Sequence, residues 1–220
     1  MDLDFTDEQD MLRKAVRRLC EDAAETVRQL ENDPRGYDDG FWQELASMGL
    51  CGLMVPEAYG GSAMGLLDAV VVYEEFGRSL VPSPHLASSV VSAGVLMAGG
   101  SDAQRDTWLA RIASGEAILS PAWLEPDGGF GPAGVRMEAA PDGDGVTLTG
   151  TKRHVAFAAS VDRLVVLARE PAGVSLFLVD PAATGVTLSQ QLSVASDTQY
   201  RVDMDEVRVA VIESASERAF

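Results

Sequence analysis

Residues 107–126, TWLARIASGEAILSPAWLEP, contain the point at which the chain changes from helical to strand-type patterning. Trp108, Leu109 and Ile112 recur at helical spacing, and Gly115 ends that pattern. Beyond the glycine, apolar residues come in short runs and no long helical periodicity returns. We therefore predict two units, a helical domain over residues 1–116 and a β-domain over residues 117–220.

The first unit carries the start and stop signals of about five helices. A capping box at residues 6–9 opens the first helix, whose apolar residues recur at helical spacing as far as Val27. Residues 32–36, NDPRG, end it, and short helices are expected from Phe41 to Met48 and over residues 66–79. The uncharged residues 84–101 predict a helix buried among the others, and a second capping box at residues 101–104 opens the last one.

The second unit is rich in β-branched runs bounded by Pro or Gly. Val146 and Leu148 alternate with threonines, and DGDG at residues 142–145 is typical of a hairpin turn. Further strands are expected over residues 164–167, 174–179, 186–188, 200–204 and 207–212. Because no long helix separates them, we predict an antiparallel barrel or sandwich and an α+β fold class.

The charge balance is acidic, with 34 Asp and Glu against 17 Lys and Arg and a formal net charge of −17. Nucleic acid is a poor partner for such a chain, because neutralising phosphates takes clustered Lys and Arg. Cys20 and Cys51 lack the spacing of a redox pair, so we expect two reduced core cysteines. No secretion signal opens the sequence and no stretch is apolar enough to span a bilayer, which predicts a cytoplasmic protein without membrane insertion.

Common catalytic motifs are absent from the sequence. It has no P-loop, no dinucleotide-binding glycine fingerprint and no nucleophile elbow, and its two histidines, His85 and His154, nearly exclude a histidine-based metal site. Glu74 and Glu75 are adjacent within a predicted helix, where ion-paired or solvated carboxylates are a simpler interpretation than an acid–base pair.

Three glycine-containing stretches stand out from this background. They are VPEAYGG at residues 55–61, WLEPDGGF at residues 123–130 and LTGTKRHVAFA at residues 148–158. Each is weak evidence alone, since glycine turns are common. Their order and spacing across a helical-to-β transition are more specific.

In that combination the chain resembles the acyl-CoA dehydrogenase family, from the TDEQ start at residues 6–9 to the last predicted strand. The resemblance implies an N-terminal helical domain and a middle β-domain, followed in family members by a C-terminal four-helix domain that would begin near residue 220. It also implies FAD as cofactor, an acyl-CoA thioester as substrate and α,β-desaturation with hydride transfer to FAD. An electron-transferring flavoprotein would then take the electrons.

The family's flavin-binding motifs are only partly kept. In place of T-E-P-x-x-G-S-D, this sequence retains Glu125, Pro126 and Gly129 but has Leu124 for the Thr, Phe130 for the Ser and Gly131 for the Asp. In place of G-x-K-x-W-I-T-N, it retains Gly150 and Lys152 but has His154, Val155, Ala156 and Phe157 for the last four residues.

By position, the resemblance assigns flavin binding to Trp123, Leu124, Gly129, Phe130, His154, Val155 and Ala156. Positions 124 and 156 carry no hydroxyl, so two hydrogen bonds to the flavin ring come from backbone amides or are lost. Aromatic side chains, among them Phe157, are available to wall a pocket. No catalytic residue is assigned, because the family's base is a Glu of the C-terminal domain, and Glu57 and Glu125 lie in scaffold turns.

Two interpretations remain open from the sequence. The chain is either an FAD-dependent dehydrogenase-like subunit of a homo- or hetero-oligomer, or a non-catalytic partner that needs a second chain to bind FAD or complete the site. In the first case we expect Lys152, Arg153 and Arg163 to supply local positive charge on an acidic protein.

Overall fold

The computed structural model describes residues 5–23, 25–31, 33–143, 145–195 and 197–210. Within these ranges the first half of the chain is helical and the second half is a sheet, which confirms the predicted order of the two parts. Residue 32 of the predicted helix end, residue 144 of the predicted hairpin turn and residues 211–212 of the last predicted strand lie outside the described residues.

The five predicted helices are all found among the described residues. They are α1 (Asp7–Ala23), α2 (Asp39–Ser47), α3 (Leu66–Ser79), α4 (Ala93–Gly99), which continues a π-helical turn at Leu86–Ser92, and α5 (Asp102–Ala113). Both predicted capping boxes form. At the start of α1, the Gln9 amide donates to Thr6 Oγ1 (3.2 Å) and the Thr6 amide donates to Gln9 Oε1 (3.1 Å). Ser101 and Gln104 repeat the arrangement at α5.

Helices α1 and α3 are joined by an ion pair at their interface. Glu75 is 1% exposed and accepts two hydrogen bonds from Arg17, at 2.9 and 2.8 Å, and Arg78 lies 3.4 Å from the same carboxylate. The hydrogen bonds from Arg17 are the main reason why the pKa of the Glu75 carboxyl lies below its usual range. Glu74 pairs with Arg13 at 3.2 Å. The two adjacent carboxylates are therefore ion-paired structural groups, as the sequence indicated.

The sheet is built from seven described strands. They are β1 (Leu119–Ala122), β2 (Glu138–Asp142), β3 (Gly145–Ala156), β4 (Arg163–Glu170), β5 (Gly173–Val179), β6 (Val186–Gln191) and β7 (Gln199–Ala210). Their order is β1-β4-β2-β3-β7-β6, with β5 paired to β4. The predicted strand at residues 200–204 and the described residues 207–210 of the next one are parts of β7, which has an irregularity around Glu206 at φ 49°.

The sheet is mixed, so the prediction of a purely antiparallel sheet is wrong in this respect. β1 runs parallel to β4, from Leu119 beside Arg163 to Ala122 beside Val166, and β2 pairs with β4 in parallel at Glu138 and Arg169. The prediction assumed that a parallel crossover needs a long helix. Here the chain returns to β4 through the β2–β3 hairpin instead, which leaves no helical signal in the sequence.

The helical and sheet parts share their core. Each of the two buried apolar clusters of the described chain contains residues from both halves. Hydrogen bonds add to this contact: the Leu119 amide donates to Ser88 Oγ (3.1 Å), and the Tyr200 hydroxyl donates to the Pro34 carbonyl (2.5 Å). The connection between α5 and β1 contains the 116/117 boundary, and the division into two domains at that boundary stays a prediction.

Candidate functional site

A loop between β1 and β2 forms the most enclosed part of the candidate site. Because β5 occupies one edge of β4 along residues 164–170, β1 and β2 lie one after the other on the opposite edge. The chain leaves this edge after Ala122 and returns where the Arg169 amide donates to the Met137 carbonyl (2.8 Å). Residues 123–136 therefore form an excursion beside the sheet.

This excursion encloses an apolar pocket of about 210 Å³. Trp123, Leu124, Gly129 and Phe130 line it, which brings together four of the seven residues predicted to bind flavin. Phe130 is 93% exposed and Trp123 is 41% exposed, so nearly all of the Phe130 side chain and part of the Trp123 side chain are open to solvent. Exposed aromatic side chains at the mouth of an apolar pocket are available to a ligand.

The two arms of the loop approach each other through glycines. A Cβ atom added at Gly128 would lie 2.4 Å from the Gly134 carbonyl oxygen, and one at Gly134 would lie 2.2 Å from the Gly129 carbonyl oxygen. Arg169 fixes the far arm, with Nε donating to the Val135 carbonyl (2.9 Å) and Nη2 to the Pro132 carbonyl (2.7 Å). Any side chain at Gly128 or Gly134 would force these arms apart.

Glu125 connects the beginning of the loop to its end. Its carboxylate accepts hydrogen bonds from the Arg136 amide (2.9 Å), from the Met137 amide (3.1 Å to each oxygen) and from Lys152 Nζ (2.6 Å). Lys152 is fully buried, and it also lies 3.5 Å from the Trp123 carbonyl oxygen. Burial lowers the pKa of the Lys152 ammonium, and the hydrogen bond and charge of Glu125 oppose that shift.

The second predicted stretch lies directly beside the first. The Arg153 amide donates to the Leu124 carbonyl (2.9 Å), at a point where the pairing of β3 with β7 is interrupted between Lys152 and Val155. His154 and Phe157 both have positive φ angles, 53° and 54°. Such angles are uncommon for residues other than glycine and occur often at functional sites.

The side chains of this second stretch do not line the pocket. Val155 is 1% exposed and belongs to the core, and Ala156 is half-buried against that core. His154 is exposed, where its Nδ1 lies 2.8 Å from Gln199 Oε1 and its amide donates to Gln191 Oε1 (3.0 Å). Phe157 packs edge-on against Tyr37. A ligand would meet this stretch through backbone and through His154.

The expected local positive charge is only partly present, and this expectation needs correction. Lys152 is buried against Glu125, and Arg163 pairs with Asp180 at 3.1 Å while stacking on Trp108. Arg153 keeps a buried Nε without a hydrogen-bond partner among the described residues. Of the three cations, Arg153 is therefore the one left for an anionic group.

Several pocket residues were not predicted from the sequence. Leu167 and Val174 form the floor, and Gly131, Pro132 and Val135 complete the far arm. Leu167 and Val174 looked like ordinary strand residues, because only the pairing of β4 with β5 brings them under a loop that lies 32–51 positions earlier. No local signal distinguished them.

Two further findings limit the chemistry of the described residues. They contain no cluster of three or more His, Cys, Asp or Glu side chains that could hold a metal ion. Over the same ranges, no helix has the length and apolar character needed to cross a bilayer. Cys20 and Cys51 are buried free thiols, as predicted.

Comparison with known proteins identifies the class to which this fold and site belong. Residues 6–116 match the family model of the acyl-CoA dehydrogenase N-terminal domain, and residues 120–207 match that of the middle domain. The chain therefore belongs to the acyl-CoA dehydrogenase family.

Particular relatives support the assignment. The chain is 33% identical over 165 residues to acyl-CoA dehydrogenase FadE27 of Mycobacterium tuberculosis, covering 75% of this chain and 43% of that protein. It is 30% identical over 200 residues to mitochondrial isovaleryl-CoA dehydrogenase of Pongo abelii, covering 86% and 47%. The chain thus spans about half the length of these curated relatives.

Solved structures show the same fold. The ChsE4-ChsE5 complex from Mycobacterium tuberculosis contains a chain that matches with a TM-score of 0.86 at 28% identity, over 97% of this chain and 58% of that one. The G363A variant of the Tcur3481-Tcur3483 steroid ACAD matches with a TM-score of 0.82 at 33% identity, over 92% and 56%.

The residues around the pocket fit one face of a flavin ring. The walls are apolar and aromatic, as a planar heterocycle requires. The backbone amides of Leu124, Phe130 and Gly131 donate to no other described residue, so these segments retain hydrogen-bond donors for ring oxygens and nitrogens. The hydroxyls that the family places at positions 124 and 156 are absent, so at the pocket only backbone amides such as that of Leu124 are available as donors from these two positions.

Proposed function

We propose that this chain is the N-terminal and middle part of an FAD-dependent acyl-CoA dehydrogenase-like oxidoreductase. Its reaction is α,β-desaturation of an acyl-CoA thioester, and an electron-transferring flavoprotein takes the electrons. The observation that carries the proposal is the pocket beside β4. In a chain that belongs to this family, Trp123, Leu124, Gly129 and Phe130 converge there, and the Phe130 ring is 93% exposed.

The residues of this chain would hold the flavin mainly by shape and by backbone. Trp123 and Phe130 would cover the ring and exclude water, and the free amides of Leu124 and Phe130 would donate to its polar edge. His154 would approach from the neighbouring stretch, which the hydrogen bond between Arg153 and Leu124 holds in place. When bound, FAD supplies a two-electron acceptor for the hydride that leaves the substrate.

The base that removes the α-proton must come from elsewhere. Glu125 is 6% exposed and its carboxylate is fully engaged by Lys152 and two backbone amides. Glu57 lies in the short helical turn Glu57–Tyr59 and is not among the residues that line the pocket. We therefore expect a carboxylate from outside the described residues, or from a second chain, to act as the general base.

A second candidate function is a non-catalytic subunit of a hetero-oligomer. Leu124, Phe130, His154 and Ala156 replace the family's flavin-binding side chains, and this favours a chain that borrows part of its site. Two neighbours support such an assembly for this chain by their descriptions. One belongs to the ChsE4-ChsE5 complex, and a 29% identical relative is the CarC subunit of a caffeyl-CoA reductase-Etf complex.

Visible spectroscopy separates the two candidates. We expect the protein, purified together with any further chain it requires, to absorb near ~450 nm and to bleach on addition of acyl-CoA. If the band is present in homo-oligomers, the first proposal holds. If the flavin absorption band appears only after a second subunit is added, the non-catalytic role is supported. If the protein is colourless in every assembly, both flavin-dependent proposals are contradicted.

A further inference from the structure

The buried pair of Lys152 and Glu125 has more contacts than an ion pair needs. Lys152 is fully buried in β3, and Glu125 is 6% exposed at the start of the pocket loop. Their atoms Nζ and Oε1 are 2.6 Å apart. Through Glu125 the pair reaches the amides of Arg136 and Met137, and through Lys152 it reaches the Trp123 carbonyl.

These contacts join both ends of the loop to β3 at Lys152, beyond residues 145–149 of β3, which pair with β2. The loop leaves the edge of β4 after Ala122 and rejoins it at Met137, and the Glu125 carboxylate joins those two ends by accepting from the Met137 amide. Lys152 adds β3 to the same point. One residue later, the Arg153 amide bonds to the Leu124 carbonyl, so the second predicted flavin stretch is set against the first from the same position.

Stability alone is a poor explanation for such a pair. Removing two charges from water costs several kcal/mol per ion, and replacing a buried ion pair with apolar residues is often neutral or stabilising. A buried, directional pair does fix geometry, because only one arrangement satisfies all its hydrogen bonds. The segments that it fixes are those that carry Trp123, Leu124 and residues 153–156 at the end of β3.

We propose that Glu125 and Lys152 are positioning residues for the flavin site, setting the Trp123–Leu124 segment against residues 153–156 at the end of β3 without touching the ligand. This proposal rests on the flavin-binding function proposed above. It predicts that neutralising the pair loosens the mutual placement of the two stretches and weakens flavin binding more than it weakens the fold.

The test uses a double variant, Glu125→Gln with Lys152→Met, which removes both charges and so leaves neither ion buried without its partner. The matched control is Glu75→Gln with Arg17→Met, which neutralises another buried carboxylate and the nearer of its two cations at the α1–α3 interface and leaves Arg78 in place. None of the four residues lines the pocket. Thermal unfolding, FAD dissociation constants and amide hydrogen exchange are measured for both variants in the assembly that binds flavin in the wild type.

We expect the Glu125/Lys152 variant to lose FAD affinity by roughly 10-fold or more, as displaced supporting groups typically cause, while the control keeps the wild-type affinity. We also expect the Arg153 amide to lose protection from exchange in this variant alone, with or without FAD. If the Glu125/Lys152 variant and the control are equally stable and lose FAD affinity equally, the pair is purely structural and the proposal is overturned. The proposal is also overturned if the Glu125/Lys152 variant keeps both the wild-type FAD affinity and the protection of the Arg153 amide. If the wild type binds no flavin, the proposed function fails, and protection of the Arg153 amide still reports whether the pair positions the two stretches.

Discussion

Phe130 offers a test in which ligand binding and folding stability separate. Its side chain is 93% exposed, so Phe130→Ala should change the free energy of unfolding by no more than about 0.5 kcal/mol. The same ring lines the pocket, and a flavin bound there would cover it. Fully burying a Phe side chain is worth roughly 1.5–3 kcal/mol, which corresponds to about a 10- to 100-fold weaker FAD affinity after truncation.

The assay is an FAD titration by calorimetry, run beside thermal unfolding on the same preparations. Leu66→Ala is the matched control, since Leu66 is 62% exposed at the start of α3 and lies outside the pocket lining. We expect the control to leave affinity unchanged. Phe130→Ala protein that binds FAD as the wild type does would refute the assignment of this pocket to the flavin. So would an affinity loss accompanied by an equal loss of stability.

Three further predictions concern buried polar groups outside the pocket. Burial lowers the pKa of His85 below its usual value near 6.5, so below that pH the unfolded chain binds a proton that the folded chain does not. The free energy of unfolding should therefore fall as the pH drops below about 6.5, by up to ~1.4 kcal/mol per pH unit. In denaturant titrations, His85→Gln should lose this part of the pH dependence. The Ser92 hydroxyl is buried without a partner among the described residues, whereas Ser88 Oγ accepts from the Leu119 amide (3.1 Å). Ser92→Ala should therefore leave the free energy of unfolding unchanged or raise it, and Ser88→Ala should lower it by about 1–3 kcal/mol. The reverse order in urea unfolding would contradict the assigned hydrogen bonds. Burial raises the pKa of Cys20 to about 11 and that of Cys51 to about 12, so both thiols should resist alkylation near pH 8 until the protein unfolds, as mass spectrometry can show.

The helical part was predictable because its signals are local. Capping boxes, glycine stops and apolar spacing depend on neighbours within a few residues, and most helices begin and end near the predicted positions. The predicted end of the first helix at residues 32–36 is wrong, since α1 ends at Ala23 and residues 27–29 form a separate 3-10 turn. The parallel pairing of β1 with β4 was not predictable in this way. It depends on contacts 44 positions apart, and strands carry little information about their partner's direction.

The candidate site was predictable in the segments that the family resemblance covers. Trp123, Leu124, Gly129 and Phe130 do meet in one pocket, but Val155 points into the core because an irregularity in β3 resets the alternation of its side chains. Lys152 was expected to supply surface charge and is instead fully buried. A lysine's burial depends on whether the fold brings a carboxylate to it, here Glu125, and spacing alone does not show that.

The central claim is that two stretches, residues 123–131 and 153–157, form one wall of a flavin site. Amide hydrogen exchange with and without FAD tests it most directly, because the amides of Leu124, Phe130 and Gly131 have no partner among the described residues. We predict that FAD protects these three amides and leaves those of the α1–α3 interface unchanged. Flavin that binds while the three amides exchange at their original rates would contradict the claim.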